Sequence, residues 1–154
     1  MHRWVTCEST TFESMVNPLA GACSEGFVPD EYIILSNEAI RDNVERATAL
    51  AERIVAEYDE SLETTVESLD DERDLEAIVS FFKDNLDAPP SGETAVDVTP
   101  GRKFMSAIAF QAGMQYGADH VYYLFLDSAD YYGHIYDDIP DPAVDLIDFT
   151  AVMP

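Results

Sequence analysis

Short apolar runs alternate with longer amphipathic segments along the whole chain, and this alternation restricts the possible fold more than any other feature. Residues 31–36, with the sequence EYIILS, are almost continuously apolar and are bounded by turn-forming residues. Such a run is typical of a strand that is buried on both faces of a parallel sheet. Strands that alternate with helices in this way indicate βαβ units, so we predict an α/β domain.

The alternation gives the order β-α-β-α-β-α-β-α-β, followed by a last strand. The predicted strands cover residues 3–7, 31–36, 63–69, 94–98, 119–127 and 144–150. The predicted helices begin at Asn17-Pro18, at Ser36 or Asn37, at Asp70 or Asp71, and after the turn at residues 99–101. A loop is predicted at residues 87–92, which are rich in Pro, Ser and Gly. We therefore expect a Rossmann-like three-layer α/β/α fold with a mainly parallel sheet and a C-terminal β-hairpin or antiparallel edge.

The length of the chain is that of one domain. With 154 residues, of which 47% are hydrophobic, the chain can bury a substantial core, so we assign residues 1–154 to a single ligand-binding domain. No apolar stretch reaches the roughly 20 residues that a membrane span needs, and no signal peptide precedes the first strand. The two cysteines, Cys7 and Cys23, are expected to be small buried side chains in a reducing compartment. We expect a cytoplasmic protein with no membrane partner.

The charge balance is strongly acidic. The chain has 31 Asp and Glu residues against 8 Lys and Arg, which gives a formal net charge of −23. Such a surface repels long nucleic acids and anionic membranes, so a nucleotide ligand has to be small and held in a locally positive pocket. The same composition is typical of salt-loving organisms, because concentrated salt screens the self-repulsion of so many carboxylates. A moderately acidic protein from another source is the alternative.

Three loops carry small hydroxyl or amide side chains directly after a predicted strand. In open α/β sheets, ligands bind at the carboxyl ends of the strands, near the point where the strand order reverses. The candidate ligand-binding residues are Ser9, Thr10, Thr11, Ser36, Asn37, Asp97, Thr99, Gly101, Arg102 and Lys103. Ordinary turn formation explains Ser9, Thr10 and Thr11 equally well, and helix capping explains Ser36 and Asn37.

The third loop also holds most of the positive charge of the second half of the chain. Arg102 and Lys103 are the two cations among the last 71 residues, and they stand where this loop enters a predicted helix. The first N–H groups of a helix are unpaired and its dipole is positive there, so an anion would be bound favourably. We predict an anion site at residues 97–103, with a phosphodiester as the expected anion. A solvated surface pair that balances nearby carboxylates is the alternative.

At these residues the chain resembles the CARF family, the CRISPR-associated Rossmann-fold domains. The family pattern after the fourth strand is Asp-x-Ser/Thr-x-x-x-Lys/Arg, and the present chain reads Asp97-Val-Thr99-Pro-Gly-Arg-Lys103. The flanks agree: an Asn-Pro dipeptide in the first predicted helix, PDEYIILS at residues 29–36, and DHVYYL at residues 119–124.

The resemblance implies that the chain binds a cyclic oligoadenylate, the second messenger of type III CRISPR antiviral defence. It implies a homodimer in which the ligand lies across the two-fold axis, with Asp97, Thr99, Gly101, Arg102 and Lys103 in contact and Ser9–Thr11 opposite. CARF domains are commonly followed by an effector, and no effector segment is expected within these 154 residues, so a separate effector protein is a possible partner. Whether the ligand is a tetra- or hexa-adenylate stays open.

Two functions from different classes remain open at this point. The chain resembles metal-independent ring nucleases, in which Lys103 or Arg102 would be the catalytic candidates, and it equally resembles non-catalytic sensors. Another nucleotide-binding α/β domain, similar to universal stress proteins, is a third reading, although a Gly-rich phosphate loop is missing from a chain with 7 glycines. We expect no cofactor and no metal site. Tyr131, Tyr132 and Tyr136 could stack on adenine or could form a packed lid.

Overall fold

The computed structural model describes residues 2–87 and 92–153, and residues 88–91 of the predicted 87–92 loop lie outside them. Six strands are described: β1 Arg3–Cys7, β2 Glu31–Ser36, β3 Glu63–Ser68, β4 Thr94–Asp97, β5 His120–Leu126 and β6 Val144–Asp148. The α-helices in these ranges are α1 Phe12–Ser24, α2 Arg41–Ala56, α3 Leu75–Leu86, α4 Lys103–Gln115 and α5 Phe149–Val152. Short 3-10 turns cover Glu38–Ile40, Ala129–Tyr131, Tyr136–Asp138 and Asp141–Ala143.

The strands form one sheet in the order β3-β2-β1-β4-β5-β6. Strands β1 to β5 pair in parallel, and β6 pairs antiparallel with β5 at one edge. The chain runs outward from β1 to β3, and then returns to place β4 on the other side of β1. This order is that of the doubly wound Rossmann-like sheet, so the predicted α/β fold and its antiparallel edge are confirmed.

The two faces of the sheet carry separate hydrophobic cores. On one face, Trp4, Tyr32 and Ile34 are fully buried together with residues of α1 and α2. On the other face, Val5, Ile33 and Val96 pack with residues of α3 and α4. Alternate residues of each central strand therefore face opposite cores, which makes a three-layer domain. No helix in the described part of the chain is long and apolar enough to cross a membrane.

The first helix begins earlier than predicted. It starts at Phe12, and Pro18 lies inside it, so the predicted start at Asn17-Pro18 is wrong. Met15 and Val16 are buried, which extends the apolar stripe of the helix upstream of the proline. Burial of this extra turn offsets the hydrogen bond that Pro18 cannot donate. The side chain of Asn17 bonds a distant loop instead of capping the helix.

The start of α3 and the end of β6 also differ from the prediction. Asp74 caps α3, because its Oδ1 accepts a hydrogen bond from the backbone N–H of Ala77 at 3.1 Å, so the predicted caps Asp70 and Asp71 are wrong. Strand β6 ends at Asp148 instead of Thr150, because Asp148 accepts a hydrogen bond from the N–H of Thr150 and begins α5. In each case a carboxylate captures an unpaired N–H group at a helix start.

Candidate functional site

The candidate site is the crevice between the loops that follow β1 and β4. These two strands are neighbours in the sheet, but their chains leave in opposite directions, β1 toward β2 and β4 toward β5. The loops therefore separate at the carboxyl ends of the strands and leave a gap between them. The crevice is the switch point at which the sequence predicts ligand binding.

A glycine with a positive φ lies where the two loops meet. Gly101 has a φ of +96°, a backbone conformation that other residues rarely adopt. A Cβ atom at this position would lie 3.4 Å from the carbonyl oxygen of Glu8 and 3.4 Å from the Cβ atom of Met105. The first loop is held from its other side by Asn43 of α2, whose Nδ2 donates to the carbonyl oxygens of Ser9 and Thr10 at 3.0 and 3.1 Å.

Two cavities open on either side of this contact. The first cavity, with a volume of about 690 Å³, is lined by the Glu8–Thr11 loop, by Asn37, Ala39 and Ile40, by Asp71 and Glu72, and by Gly101, Arg102 and Met105. The second cavity, of about 450 Å³, lies toward β5 and the loop after it. Both cavities are lined by Ser9, Thr11 and Gly101, which form the ridge between them.

Seven of the ten candidate ligand-binding residues line these cavities. They are Ser9, Thr10, Thr11, Asn37, Thr99, Gly101 and Arg102. Lys103 lines neither cavity, but it is exposed and is the first residue of α4. The start of α4 has no side-chain cap, so its first N–H groups are available to a ligand beside Arg102 and Lys103.

The other two candidates, Ser36 and Asp97, are buried below the crevice. Ser36 is 0% exposed and donates its hydroxyl hydrogen bond to the carbonyl oxygen of Asn37 at 3.2 Å. Asp97 is 1% exposed, and its Oδ1 accepts from the N–H of Thr99 at 2.9 Å. Either side chain could contact a ligand directly only if the loop above it moved. In this structure both side chains instead hold those loops in place through their hydrogen bonds.

Burial gives Asp97 an unusual protonation equilibrium. Loss of solvent raises the pKa of its carboxyl from 3.8 to about 7, although the hydrogen bond from the Thr99 N–H acts in the opposite direction. Its second oxygen, Oδ2, is buried without a hydrogen-bond partner among the described residues. A neutral carboxylic acid is therefore substantially populated at neutral pH directly beneath the 99–102 loop.

Thr99 also supports the loop with its side chain. The hydroxyl oxygen of Thr99 accepts a hydrogen bond from the backbone N–H of Leu124 at 3.0 Å. Strand β5 is thereby tied to the loop that follows β4. The residues of the Asp-x-Thr pattern thus shape the crevice, and Arg102 and Lys103, which follow Gly101, are exposed at the start of α4.

The first cavity is lined by more acidic side chains than the prediction of an anion site implies. The guanidinium Nε of Arg102 lies 3.0 Å from Oε2 of Glu72, and both side chains are well exposed. Glu8 and Asp71 line the same cavity. An exposed ion pair contributes only about 0–1 kcal/mol, so an anionic ligand can displace Glu72 from Arg102 at little cost.

Glu8 lies in the lining of the first cavity with little solvent contact. Burial raises the pKa of its carboxyl above the usual value, and the negative charge of Glu72 adds to that rise. The hydrogen bond from the backbone N–H of Asn37 lowers the pKa in part. Glu8 therefore binds a proton more readily than an ordinary glutamate.

The second cavity is aromatic and carries little charge. Tyr131 and Tyr132 line it together with Tyr123 and Phe125 of β5. Tyr136 does not line it, because its ring packs against Gly21 and its hydroxyl lies 3.2 Å from Oγ of Ser24. Of the three tyrosines in the loop after β5, Tyr131 and Tyr132 thus line the second cavity, and Tyr136 packs against α1.

The histidines of the described residues belong to no cluster that could hold a metal ion. His120 is the first residue of β5, so it lies at the amino ends of the parallel strands, away from the crevice. Its Nδ1 lies 2.8 Å from Asp148 and its Nε2 lies 3.1 Å from Glu93. These carboxylates raise the pKa of His120, against the effect of burial. Among residues 2–87 and 92–153, no group of three or more His, Cys, Asp and Glu side chains is arranged to hold a metal ion.

Several residues of the crevice belong to no motif in the sequence. Glu8 and Glu72 look like ordinary members of an acidic surface, and Asn43 lies in the middle of a helix. Tyr123 and Phe125 belong to a strand that reads as uniformly apolar. The one available signal is position, since Glu8 directly follows β1 at the edge where ligands bind.

No protein-family model matches the chain, and a search of curated proteins finds no match either. The functional argument therefore depends on the geometry and chemistry of the crevice.

Proposed function

We propose that this domain binds a cyclic oligoadenylate, a tetra- or hexa-adenylate, in the crevice between the β1 and β4 loops. The observation that carries the proposal is that the Asp97–Lys103 pattern lies at the switch point of the sheet. There its exposed end, Gly101 to Lys103, adjoins both a hydroxyl-lined ridge and an uncapped helix start. Phosphates would bind the first N–H groups of α4 and the two cations, and the hydroxyls of Ser9 and Thr11 would bond ribose oxygens.

The homodimer that goes with this proposal is supported by the charge pattern of α4. Residues 98–118 contain no Asp or Glu, although the whole chain carries 31. The exposed positions Lys103, Ala107, Gln111 and Gln115 recur every fourth residue and lie on one face of the helix. Two copies of a chain with a net charge of −23 repel each other least where such acid-free faces meet.

The bound messenger is either cleaved or bound without reaction. In a ring nuclease, a ribose 2′-oxygen attacks the adjacent phosphorus and the bond from phosphorus to the 5′-oxygen breaks. The products are a 2′,3′-cyclic phosphate and a 5′-hydroxyl; water accepts the 2′ proton and the 5′-oxygen takes one up. Arg102 or Lys103 would stabilise the charge that develops on the phosphate. In a sensor, binding shifts the dimer and a separate effector protein responds.

Substitution of the cations tests the site. Arg102→Ala and Lys103→Ala should each weaken binding of cyclic tetra- or hexa-adenylate about tenfold or more, because each removes a charge-assisted contact to phosphate. Arg53→Ala, which removes an exposed cation from the last turn of α2, should leave the affinity unchanged. Unchanged affinity in both crevice variants would remove the site assignment.

Chromatography of the same mixtures distinguishes cleavage from binding alone: linear product indicates a ring nuclease, and intact ring indicates a sensor.

Removal of the competing carboxylate should act in the opposite direction. Glu72→Gln releases Arg102 from its ion pair, so the affinity for the cyclic ligand should rise about two- to fivefold. Glu60→Gln is the matched control, because it removes the same charge from an exposed position between α2 and β3, outside the lining of both cavities. An equal gain in both variants would show that only the net charge matters, and that Arg102 does not contact the ligand.

A further inference from the structure

The second cavity is lined by aromatic side chains that the rest of the described residues leave partly exposed. Tyr123, Phe125 and Tyr132 all line it, and they remain 38%, 45% and 69% exposed. Large aromatic side chains are normally buried, so such exposure around one cavity of about 450 Å³ is unusual. Aromatic faces of this kind bind planar heteroaromatic rings by stacking.

The walls of the cavity are held in place by buried hydrogen bonds. The side chain of Asn17, which is 3% exposed, donates from Nδ2 to the carbonyl oxygen of His134 at 2.8 Å. Its Oδ1 accepts from the backbone N–H of Tyr136, also at 2.8 Å. The loop that carries Tyr131 and Tyr132 is thus attached to α1 close to those tyrosines. A ligand ring would enter a cavity that is already formed, which reduces the entropic cost of binding.

The polar groups of the cavity favour a ring that carries an amino group. Glu13, in the first turn of α1, is the one acidic side chain among the described residues that line the cavity, and no Lys or Arg lines it. A carboxylate accepts hydrogen bonds and repels carbonyl oxygens. It therefore distinguishes an exocyclic amino group, as in adenine, from the carbonyl group that hypoxanthine has at the same position.

We propose that the second cavity is a subsite for an amino-bearing purine base, stacked on Tyr132 and paired through its amino group with Glu13. The ridge of Ser9, Thr11 and Gly101 separates this subsite from Arg102, so the ribose and phosphate of the same nucleotide continue over the ridge. The continuation toward the cations rests on the proposed function. The stacked base does not, since it depends on the aromatic walls alone.

Titration of the protein with 5′-AMP and with ribose 5-phosphate in molar KCl tests the subsite, with aromatic side-chain NMR signals as the readout. 5′-AMP should bind and shift the tyrosine signals, and ribose 5-phosphate should bind at least tenfold more weakly. Tyr132→Ala should weaken 5′-AMP binding about tenfold or more, whereas Tyr132→Phe keeps the ring and should keep the affinity. The fold should tolerate both changes, because Tyr132 is 69% exposed.

The same titrations overturn the proposal if 5′-AMP does not bind, if ribose 5-phosphate binds equally well, or if Tyr132→Ala has no effect. Failure of the proposed function has a different signature, in which 5′-AMP stacks normally but the cyclic oligoadenylates do not bind. Glu13→Gln should reduce the preference for 5′-AMP over inosine 5′-monophosphate several-fold. An unchanged preference would remove the pairing with the amino group.

Discussion

At the scale of single residues, the protonation of Asp97 links stability to pH. Because burial raises the folded-state pKa from 3.8 to about 7, the folded protein holds a proton that the unfolded chain releases between these values. The stability that this proton contributes is complete below pH 3.8 and is lost as the pH rises through about 7. Each unit of pKa difference corresponds to about 1.4 kcal/mol.

Asp97→Asn should remove this pH dependence while keeping an acceptor for the Thr99 N–H. The free energy of unfolding of the variant, relative to the natural protein, should therefore increase between pH 5 and pH 8. Urea denaturation at both pH values measures the difference, and other titrating groups such as Glu8 cancel in the comparison. A difference that is the same at both pH values would show that Asp97 stays ionised in the folded protein.

At the scale of elements, α4 packs on the sheet through a glycine. A Cβ atom at Gly113 would lie 2.8 Å from Cγ2 of Val121, which is closer than two non-bonded carbon atoms can approach. Gly21 of α1 is also inside a helix, but there the added atom would meet Tyr136 and Leu124 at the ordinary distances of 3.5 and 3.7 Å. The two glycines therefore differ in the space around them and share a helical setting.

Gly113→Ala should destabilise the protein by about 1–3 kcal/mol, because the stiff side chain of Val121 cannot move aside easily. Gly21→Ala should be neutral or should stabilise by up to about 1 kcal/mol, since alanine loses less backbone entropy in a helix. Denaturant unfolding of both variants measures the contrast. Equal effects would mean that α4 lies farther from β5 than in this structure.

The elements also show what a sequence can and cannot predict. The bounds of β1 and β2 match the prediction because both are short β-prone runs between turn residues. The start of α1 does not, because the partners of Asn17 lie 117 and 119 residues away. The cap of α3 falls among several neighbouring carboxylates, and only tertiary packing selects Asp74.

The candidate site, too, could be predicted from the sequence only in part. Its position follows from the alternation of strands and helices, since the carboxyl ends of parallel strands meet at one edge. The burial of Ser36 and Asp97 depends on the exact residue at which each strand ends and on the loop that covers it. The pairing of Arg102 with Glu72 joins two loops that are distant in sequence, so no local pattern predicts it.

At the scale of the whole molecule, charge repulsion should dominate the response to salt. A net charge of −23 on 154 residues opposes the compact state unless it is screened. The screening length falls from about 10 Å at 0.1 M salt to about 3 Å at 1 M, so concentrated salt weakens the repulsion between exposed carboxylates. The protein should therefore be more stable in concentrated salt.

The melting temperature at pH 7 should rise steadily between about 0.1 and 2 M KCl, as measured by circular dichroism. Near pH 4, close to the sequence pI of about 4.1, the rise should be much smaller because many carboxylates are neutral. A melting temperature that is independent of KCl at pH 7 would contradict the prediction that this composition is adapted to a salt-rich environment.

The whole-molecule arrangement of the site is tested most directly by calorimetric titration of the natural protein with cyclic tetra- and hexa-adenylate in molar KCl. We expect saturable binding of at least one ring, with one ring per two chains, because in the proposed homodimer the ligand would lie across a two-fold axis and each chain would contribute one crevice. Absence of binding to both rings, or binding of one ring per chain, would contradict it.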